Sequence, residues 1–556
     1  MKPLLAPLLG AVLSLAARAA GPVPPDVGSI LQQSQPVAPL SPSSIGSGLT
    51  IERKNEGGLP QSLPFLVKSI RISGNSVFDT ATLQALVADA DGKFLTLSQL
   101  GALSDRITSY YQSHGYPFAR ALIPAQVIRD GVVAIEITEA HYGKVVLANH
   151  SRASNPLLQR MLSPGLDSGQ PIGQAGLDHT LLLLSDVPGV VVNATLKPGE
   201  NSGTSDLLVN TTAAPAVTGD VVIDDYGDRY TGRERIGGTV NFIDPLHQGD
   251  VLSMSDLSSG RGINYGRIAY ESFWGGDGAQ AGGSYSTLHY ILGGPLASLD
   301  AHGIAQVKSL WVKHPLVRSR NFDLHAQLQY DQLQLRDHID ASAIQTDRHL
   351  DTWTASLAGD ERDALLFGGT TVWRLDWTAG RVDFDNEDAG LADAETARIQ
   401  GGFSKWEVNV CRLQSLGPRD GLYLAFSGQW TDSNLDSAEQ MDSGGPYTVR
   451  AYDLGAVSGD IGYLETAEFR HDLGSAWRAQ WQAVAFCDSA QVTINRAVWS
   501  PGANTATLSG AGVGLNWAGP SQLSAKLCIA ARVGAIPVLV ADPGSARGWF
   551  EVSKAF

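Results

Sequence analysis

The sequence predicts a transmembrane β-barrel of about 16 antiparallel strands, preceded by two small α+β units and a short N-terminal helix with its linker. Three observations carry the prediction. From about residue 215 the helical period disappears and apolar and polar side chains alternate every second residue. The apolar side of those segments carries Trp, Tyr and Phe near its ends, as the interfacial girdle of a membrane barrel does. Charged residues are only 17% of the chain while glycine reaches 61 of 556, a balance that suits strands better than helices.

Taken in order, the chain opens with a secretory signal over residues 1–19. Lys2 supplies the positive start, "PLLAPLLGAVLSLAA" the apolar run, and Ala17-Arg18-Ala19 the small residues of a cleavage site. The run is shorter than the roughly 20 residues a membrane helix needs, and no later run is long enough. Residues 20–63 hold the Pro/Ser-rich stretches "GPVPP" and "QPVAPLSPSS", which read as extended linker. Between them "PDVGSILQQSQ" predicts two helical turns beginning near Asp26.

Residues 64–142 predict a β-α-α-β-β unit. "FLVKSIRISGN" alternates as a strand, and "DTATLQALVADADG" and "LTLSQLGALSDRITSYYQSHGY" read as helices. The second helix places Leu97, Leu100, Leu103, Ile107 and Tyr110 or Tyr111 on one face. "FARALIPAQVIRDG" and "VVAIEITEAHYG" follow as strands. Residues 143–214 repeat the order more loosely, through "KVVLANH", "NPLLQRMLS", "IGQAGLDHTLLLLSDVPG", "VVVNATLKPG" and "DLLVNTTA".

Residues 215–556 form the predicted barrel. "NFDLHAQLQYD" sets Phe322, Leu324, Ala326, Leu328 and Tyr330 against Asn321, Asp323, His325, Gln327, Gln329 and Asp331. "WRLDW" sets Trp373, Leu375 and Trp377 against Arg374 and Asp376. "LYLAFSGQW" sets Leu422, Leu424, Phe426 and Trp430 against Tyr423, Ser427 and Gln429. "WRAQWQAVAFCD" reads as a strand with Trp477 and Trp481 opposite Arg478, Gln480 and Gln482. Alternation alone also fits a soluble sandwich with one wet face. The aromatic girdle and the closing "GWFEVSKAF", with Phe550, Val552 and Phe556 on one face, favour the membrane barrel. About sixteen strands fit, and an even, closed set leaves no edge in lipid. A barrel of that size is wide enough for an aqueous lumen.

Several function classes are excluded or disfavoured. A net charge of −16, from 40 basic and 56 acidic residues, argues against nucleic acid as a partner. Cys411, Cys487 and Cys528 are too few and too scattered for a disulfide framework or a metal motif. No GxSxG, HExxH or P-loop pattern occurs. The carboxylate groups Asp224/Asp225 and Asp385/Glu387/Asp388 read as solvated turns. The expectation is therefore no enzyme, no cofactor and no metal ligand set.

One loop stands out. "GGPYTVRAYDLG", residues 444–455, is rich in turn-formers yet frames a single cation, Arg450, with Tyr447, Val449 and Tyr452. With this stretch the chain resembles the TpsB transporters of two-partner secretion, the FhaC/ShlB/HecB-type branch of the Omp85 superfamily. "PDVGSILQQSQ" resembles that family's N-terminal helix. "IRISGNSVF", "YYQSHGYPFARALIPAQVIRDGVV" and "ITEAHYGKV" resemble its first POTRA domain, with Gly74, Asn75, Gly115, Tyr116, Pro124, Gln126 and Gly131 at pattern positions. The second POTRA likeness is weaker. "TVRAYDLG" resembles the VRGY motif of the sixth extracellular loop, with Ala451 where the family has glycine. "FCDSA" resembles the FxD element of a later strand.

The resemblance implies an outer-membrane translocator of a Gram-negative bacterium, with its POTRA domains in the periplasm. It implies a secreted TpsA-like exoprotein as partner, haemolysin- or haemagglutinin-like, captured unfolded and exported or activated through the pore. It also implies the lipid bilayer as surroundings and the barrel-assembly machinery as a partner in biogenesis, reading the aromatic end at Phe550, Val552 and Phe556. The N-terminal helix is expected to plug the pore. Val449, Arg450, Ala451 and Tyr452 are expected to fold into the lumen, where Arg450 meets Asp488 and Phe486 packs on Tyr452. Strand parity agrees, since even-numbered Arg478, Gln480, Gln482 and Asp488 oppose Trp477 and Trp481. Asp453 is the rival partner for Arg450. If the motif glycine needs a positive φ, Ala451 costs about 1 kcal/mol there. A BamA- or TamA-like barrel assembly factor is the alternative, although those usually carry more POTRA domains. A passive porin fits less well, because it has no use for the tandem units.

Overall fold

Asp26 begins the first element. Its side chain accepts the Ser29 N–H and caps helix α1, Val27–Ser34. The structure, a computed structural model, describes residues 24–35, 42, 48–51, 62–164, 166, 168–201, 203–540 and 544–556. The expected signal and most of the Pro/Ser-rich linker lie outside the described residues. Val27, Ile30 and Leu31 form the apolar face of α1 and are buried, but not in a domain of their own. They pack inside the barrel, against Tyr265, Leu288, Leu335 and Phe403 among others. Strand β1, Gly48–Ile51, follows.

The first α+β unit comprises β2 (Phe65–Val67), β3 (Ser69–Ser73), α2 (Thr80–Ala85), β4 (Lys93–Leu95), α3 (Leu97–Ser113), β5 (Arg120–Leu122) and β6 (Val132–Thr138). Thr96 and Gln99 close a reciprocal capping box at the start of α3. Leu100, Leu103, Ile107 and Tyr111 are its buried stripe, and they cover the sheet β3-β6-β5 through Ile72, Val133 and Ile135.

The second unit comprises β7 (His141–His150), α4 (Asn155–Leu162), α5 (Gln174–Ser185), β8 (Val190–Pro198) and β9 (Thr204–Ala213). Its sheet runs β1-β8-β9-β7, so β1 adds a parallel strand to the outer side of β8. α4 and α5 bury Leu157, Leu158, Leu177, Leu181 and Leu184 against Val192, Leu207 and Val209.

Sixteen strands then close a barrel. The first eight are β10 (Val217–Asp224), β11 (Arg235–Ile243), β12 (Val251–Ser258), β13 (Ile263–Trp274), β14 (Ala279–Ile291), β15 (Ala301–Arg318), β16 (Phe322–Ile339) and β17 (Ile344–Asp363). After β18 (Gly369–Phe384) comes α6 (Glu387–Glu395), then β19 (Gly401–Ser415) and β20 (Asp420–Thr431). Residues 432–460 form a long infolded loop holding the small pair β21 (Met441–Ser443) and β22 (Val457–Gly459). The barrel resumes with β23 (Ile461–Ala476), β24 (Ala479–Thr493), β25 (Thr505–Ala518), β26 (Leu523–Arg532) and β27 (Ala546–Ala555). β27 pairs with β10 from Asp220↔Ala555 to Asp224↔Glu551, which closes the ring. Phe556 continues the seam by exchanging two backbone hydrogen bonds with Gly219.

The period-two pattern sets the two faces. Leu328, Trp377, Leu424 and Trp430 stand outside and exposed, toward lipid. Asp331, Arg374, Asp376 and Gln429 line the lumen. One expected strand residue pair behaves differently. Trp477 and Arg478 are not in a strand; they are the two-residue turn between β23 and β24, with φ of 52° and 63°. A register shift between Asp472 and Gly474 offsets the odd step of this turn, and along β24 itself the alternation keeps Trp481 outside and Asp488 inside. The acidic turns also need correction. Asp224 is not solvated: it is buried at the end of β10 and forks with Arg235 at 2.8 and 3.3 Å.

Two ion pairs fix the periplasmic turn between β15 and β16 to the second unit. Arg318 holds Asp186 through Nε and Nη2 at 2.7 and 2.8 Å, and Arg320 holds Asp178 on α5. The opposite end of the barrel, carrying α6 and the 432–460 loop, therefore faces outward from the cell.

Candidate luminal site

The infolded loop turns at Gly444 and Gly445, whose φ values of 101° and 120° suit no side chain well. Beyond them Val449, Ala451 and Tyr452 are buried completely or nearly so. They pack in one cluster with Phe486, Val492 and Leu508 on the inner wall. Arg450 lies between them and the wall. Its Nε and Nη2 donate to Asp488 at 2.9 and 2.8 Å, and its own backbone N–H donates to the same carboxylate at 3.1 Å. Nη1 donates to Glu468 at 2.8 Å. The guanidinium carbon sits 3.3 Å from the Phe486 ring centroid, so Phe486 supports the cation directly. Asp488 is fully buried and accepts a further hydrogen bond from Thr466. Such a fork is directional as well as strong.

Asp453, the rival, goes elsewhere: it lies 3.2 Å from Arg233 and 3.5 Å from Arg547. Ala451 does not adopt a positive φ. Its methyl group is accommodated from across the site. Gly510, the cross-strand neighbour of Asp488, leaves the space, since a Cβ there would lie 2.5 Å from that of Ala451. The loop also braces the barrel seam. Trp549 on β27 donates its indole N–H to the Arg450 carbonyl at 2.8 Å, while Tyr447 stands edge-on to Tyr226 just beyond β10. Phe550, Val552 and Phe556 lie on the exposed side of that seam.

The same loop carries the floor on which α1 rests. Arg348 of β17 is buried and reaches three carboxylates: Asp26 at 2.8 Å, Asp337 at 2.9 Å and Asp436 of the loop. Asp337 also accepts the Val27 N–H at 2.8 Å and the Tyr290 hydroxyl at 2.7 Å. Ser437 donates to Asp26, and Gln32 donates to the Ala438 carbonyl. Beside α1 remains a polar cavity of about 820 Å³, lined in part by Arg267, Asp331, Arg374, Asp376, Lys405 and Glu439.

The periplasmic motif residues are distributed between two places. Gly74, Gly115 and Gly131 all have positive φ. Asn75 donates its side-chain amide to the Phe78 carbonyl and Thr80 hydroxyl, bending the chain into α2. Gly115 and Tyr116 follow α3, and the Gly115 carbonyl accepts the Gln174 N–H of the second unit at 2.8 Å. Pro124, Gln126 and Gly131 lie on the other side of the sheet. There the Gln126 amide pairs with both backbone groups of Ala134, acting as a one-residue substitute strand. These contacts shape the unit. Sequence reasoning missed Glu139, which collects N–H groups from Ser76 and Val77 and hydroxyls from Ser76 and Tyr111. Burial pushes its carboxyl up, but these hydrogen bonds outweigh burial and hold it below the usual glutamate value. It also missed Glu468 and Arg348. Glu468 pairs with Phe486 and so shares the face of Asp488, but only because the register shift between Asp472 and Gly474 offsets the two-residue turn, which strand parity alone does not reveal.

A sixteen-strand barrel with an infolded loop and a luminal helix, mounted on periplasmic α+β units, defines an outer-membrane protein transporter. Residues 203–517 match the family of haemolysin secretion/activation proteins ShlB/FhaC/HecB, and residues 65–140 match the ShlB-type POTRA domain. The chain belongs to that family: it is a TpsB-type transporter of two-partner secretion in the outer membrane of a Gram-negative bacterium, not an enzyme, and the family implies a secreted partner protein. Over 455 residues it is 28% identical to the heme/hemopexin transporter protein HuxB of Haemophilus influenzae, covering 81% of this chain and 80% of the relative. It is 24% identical over 410 residues to the outer membrane transporter CdiB of Escherichia coli, covering 72% and 67%. The solved structure of CdiB from Escherichia coli superposes with a TM-score of 0.71 at 22% identity, covering 92% of this chain and 94% of that one. BamA from Haemophilus ducreyi, solved without POTRA domains 1–3, shares the fold at a TM-score of 0.53 and 12% identity, covering 88% of this chain and 100% of that one.

Proposed function

We propose that the two periplasmic units capture an unfolded exoprotein of the haemolysin or haemagglutinin kind, and that the barrel exports or activates it once α1 leaves the lumen. The observation that carries this reading is the shared use of Arg348 by α1 and the infolded loop, which makes the closed pore one interlocked assembly. Capture has a physical basis in strand addition, which needs a sheet edge and little sequence. β3 and β5 are the outer strands of the first sheet, whereas the β8 side of the second is already taken by β1. In this reading the second unit is a second POTRA domain and Arg450–Asp488 is a latch holding the loop to the wall. The lipid bilayer surrounds the aromatic outer face, and the barrel-assembly machinery inserts the chain by its aromatic last strand. HuxB is named for heme/hemopexin, so an exoprotein serving haem acquisition is the first substrate class to try.

The test is co-expression with a candidate TpsA-like exoprotein from the same genome, followed by assay of the medium. Arg450→Ala is expected to lower secretion while the barrel still inserts. Unchanged secretion removes the latch from export, and absence of any secretion by the parent chain removes that exoprotein as substrate.

A further inference from the structure

At the outward end of the barrel, β15 and β16 place two histidines directly opposite each other, His302↔His338. Neighbouring Gly303 and Asp337 face inward, and Asp337 belongs to the Arg348 cluster, so both imidazoles stand on the outer face. Their ring centroids are 5.3 Å apart. Asp340, in the turn after β16, brings Oδ2 to 3.4 Å from His302 Nε2. One donor atom from each of His302, His338 and Asp340 falls within 4.8 Å of the other two. A fourth group points the same way. Asp347 Oδ1 lies 3.6 Å from His338 Nε2, is buried, and has no hydrogen-bond partner among the described residues. Its nearest charged neighbour is His338 itself, so the oxygen and the imidazole face one shared position.

The geometry points to a binding site for a borderline divalent transition-metal ion, of which zinc is the type, held by His302, His338 and Asp340 with Asp347 as fourth ligand. Two imidazoles with carboxylates suit zinc, copper or nickel and not calcium or magnesium. In a tetrahedron with metal–ligand bonds near 2.0–2.1 Å the donors stand about 3.3 Å apart. Small side-chain rotations close the remaining gap, because all four side chains are partly exposed and can move. The position has a consequence for the lumen. His338 follows Asp337 and Asp347 precedes Arg348, so each of these two ligands sits back to back with a residue of the luminal cluster. The ion ties the outer ends of β15, β16 and β17 together behind that cluster.

The test uses the full mature chain, purified in detergent without a polyhistidine tag. Zinc titration is expected to show one tight site per chain, and the double variant H302A/H338A to lose it with affinity falling by roughly 100-fold or more. Cu²⁺ loaded at one equivalent is expected to show hyperfine coupling to two imidazole nitrogens, reduced to one in H302A. Barrel integrity in each variant is read from its heat-modifiable migration. Equal zinc affinity in the parent and the double variant overturns the proposal, as does a copper spectrum of the parent chain with fewer than two coupled nitrogens. Calcium binding that displaces zinc from the site also overturns it.

Discussion

The interlock at Arg348 can be measured through one atom change, Asp26→Asn. Asparagine caps a helix as well as aspartate does, so α1 keeps its N-terminal hydrogen bond to Ser29. What changes is the charge facing Arg348. Arg348 retains Asp337 and Asp436, so no cation is stranded and the 3–5 kcal/mol of a broken buried pair does not apply. The Asp26 side chain is 35% exposed, so solvent screens it. One charge-assisted hydrogen bond at the lower end of its range, about 1.5 kcal/mol, remains as the cost. That shifts the docked-to-released equilibrium of α1 by roughly tenfold. The assay is single-channel recording in planar bilayers, where time spent in the high-conductance state reports release. Arg348→Gln, which leaves three carboxylates facing one another, is expected to exceed Asp26→Asn by at least tenfold. If a chain lacking residues 20–60 conducts freely while Asp26→Asn and Arg348→Gln both match the parent, the interlock is refuted. If the deletion also matches the parent, the helix is not a plug.

Other expectations follow from single contacts. Gly510→Ala drives a new methyl to 2.5 Å from that of Ala451, so loop docking is expected to weaken by about 1–3 kcal/mol, seen as faster proteolysis within 444–455; Ala451→Gly in the same background restores protection. Glu139→Gln keeps a carbonyl oxygen for the Ser76 and Val77 N–H groups and the Tyr111 hydroxyl but removes the charge that strengthens those bonds, which is expected to destabilise the first periplasmic unit by about 1–2 kcal/mol, read by hydrogen exchange at α3. Because the Glu139 carboxyl is held below its usual value in the folded chain, its contribution is complete above the unfolded value and is lost as pH falls through the lower folded one. Exchange protection of α3 is therefore expected to drop on acidification below about pH 4.5 in the parent and to stay flat in the glutamine variant.

Much of this architecture is legible in the sequence because barrel strands write their two faces as a period of two. That period alone places Asp488 in the lumen and Trp481 on the outer face. It misleads at Trp477 and Arg478, which extend the alternation of β24 by number but form the two-residue turn that precedes it. The loop is legible as a motif but its fit is not. The tolerance for Ala451 lies at Gly510, 59 positions away and related to it only through the docked loop. Arg348 is invisible for a similar reason. Its three carboxylates come from the N-terminal helix, a neighbouring strand and the infolded loop, and only closure of the ring brings them together. Glu139 sits in plain view within "ITEAHYG", yet its worth depends on Ser76, Val77 and Tyr111 converging from two other elements.

The pairing of β1 with β8 turns the luminal helix into a leashed ligand. From Ser34 to Gly48 the chain has fourteen Cα–Cα steps, which span at most about 46–50 Å. A helix that leaves its place beside Arg348 stays within that reach of the second unit and cannot diffuse away. Its return is unimolecular, at an effective concentration on the order of millimolar, and so independent of how many transporters the membrane holds. In the proposed release of α1, resealing is then an intramolecular step governed by the length of this tether.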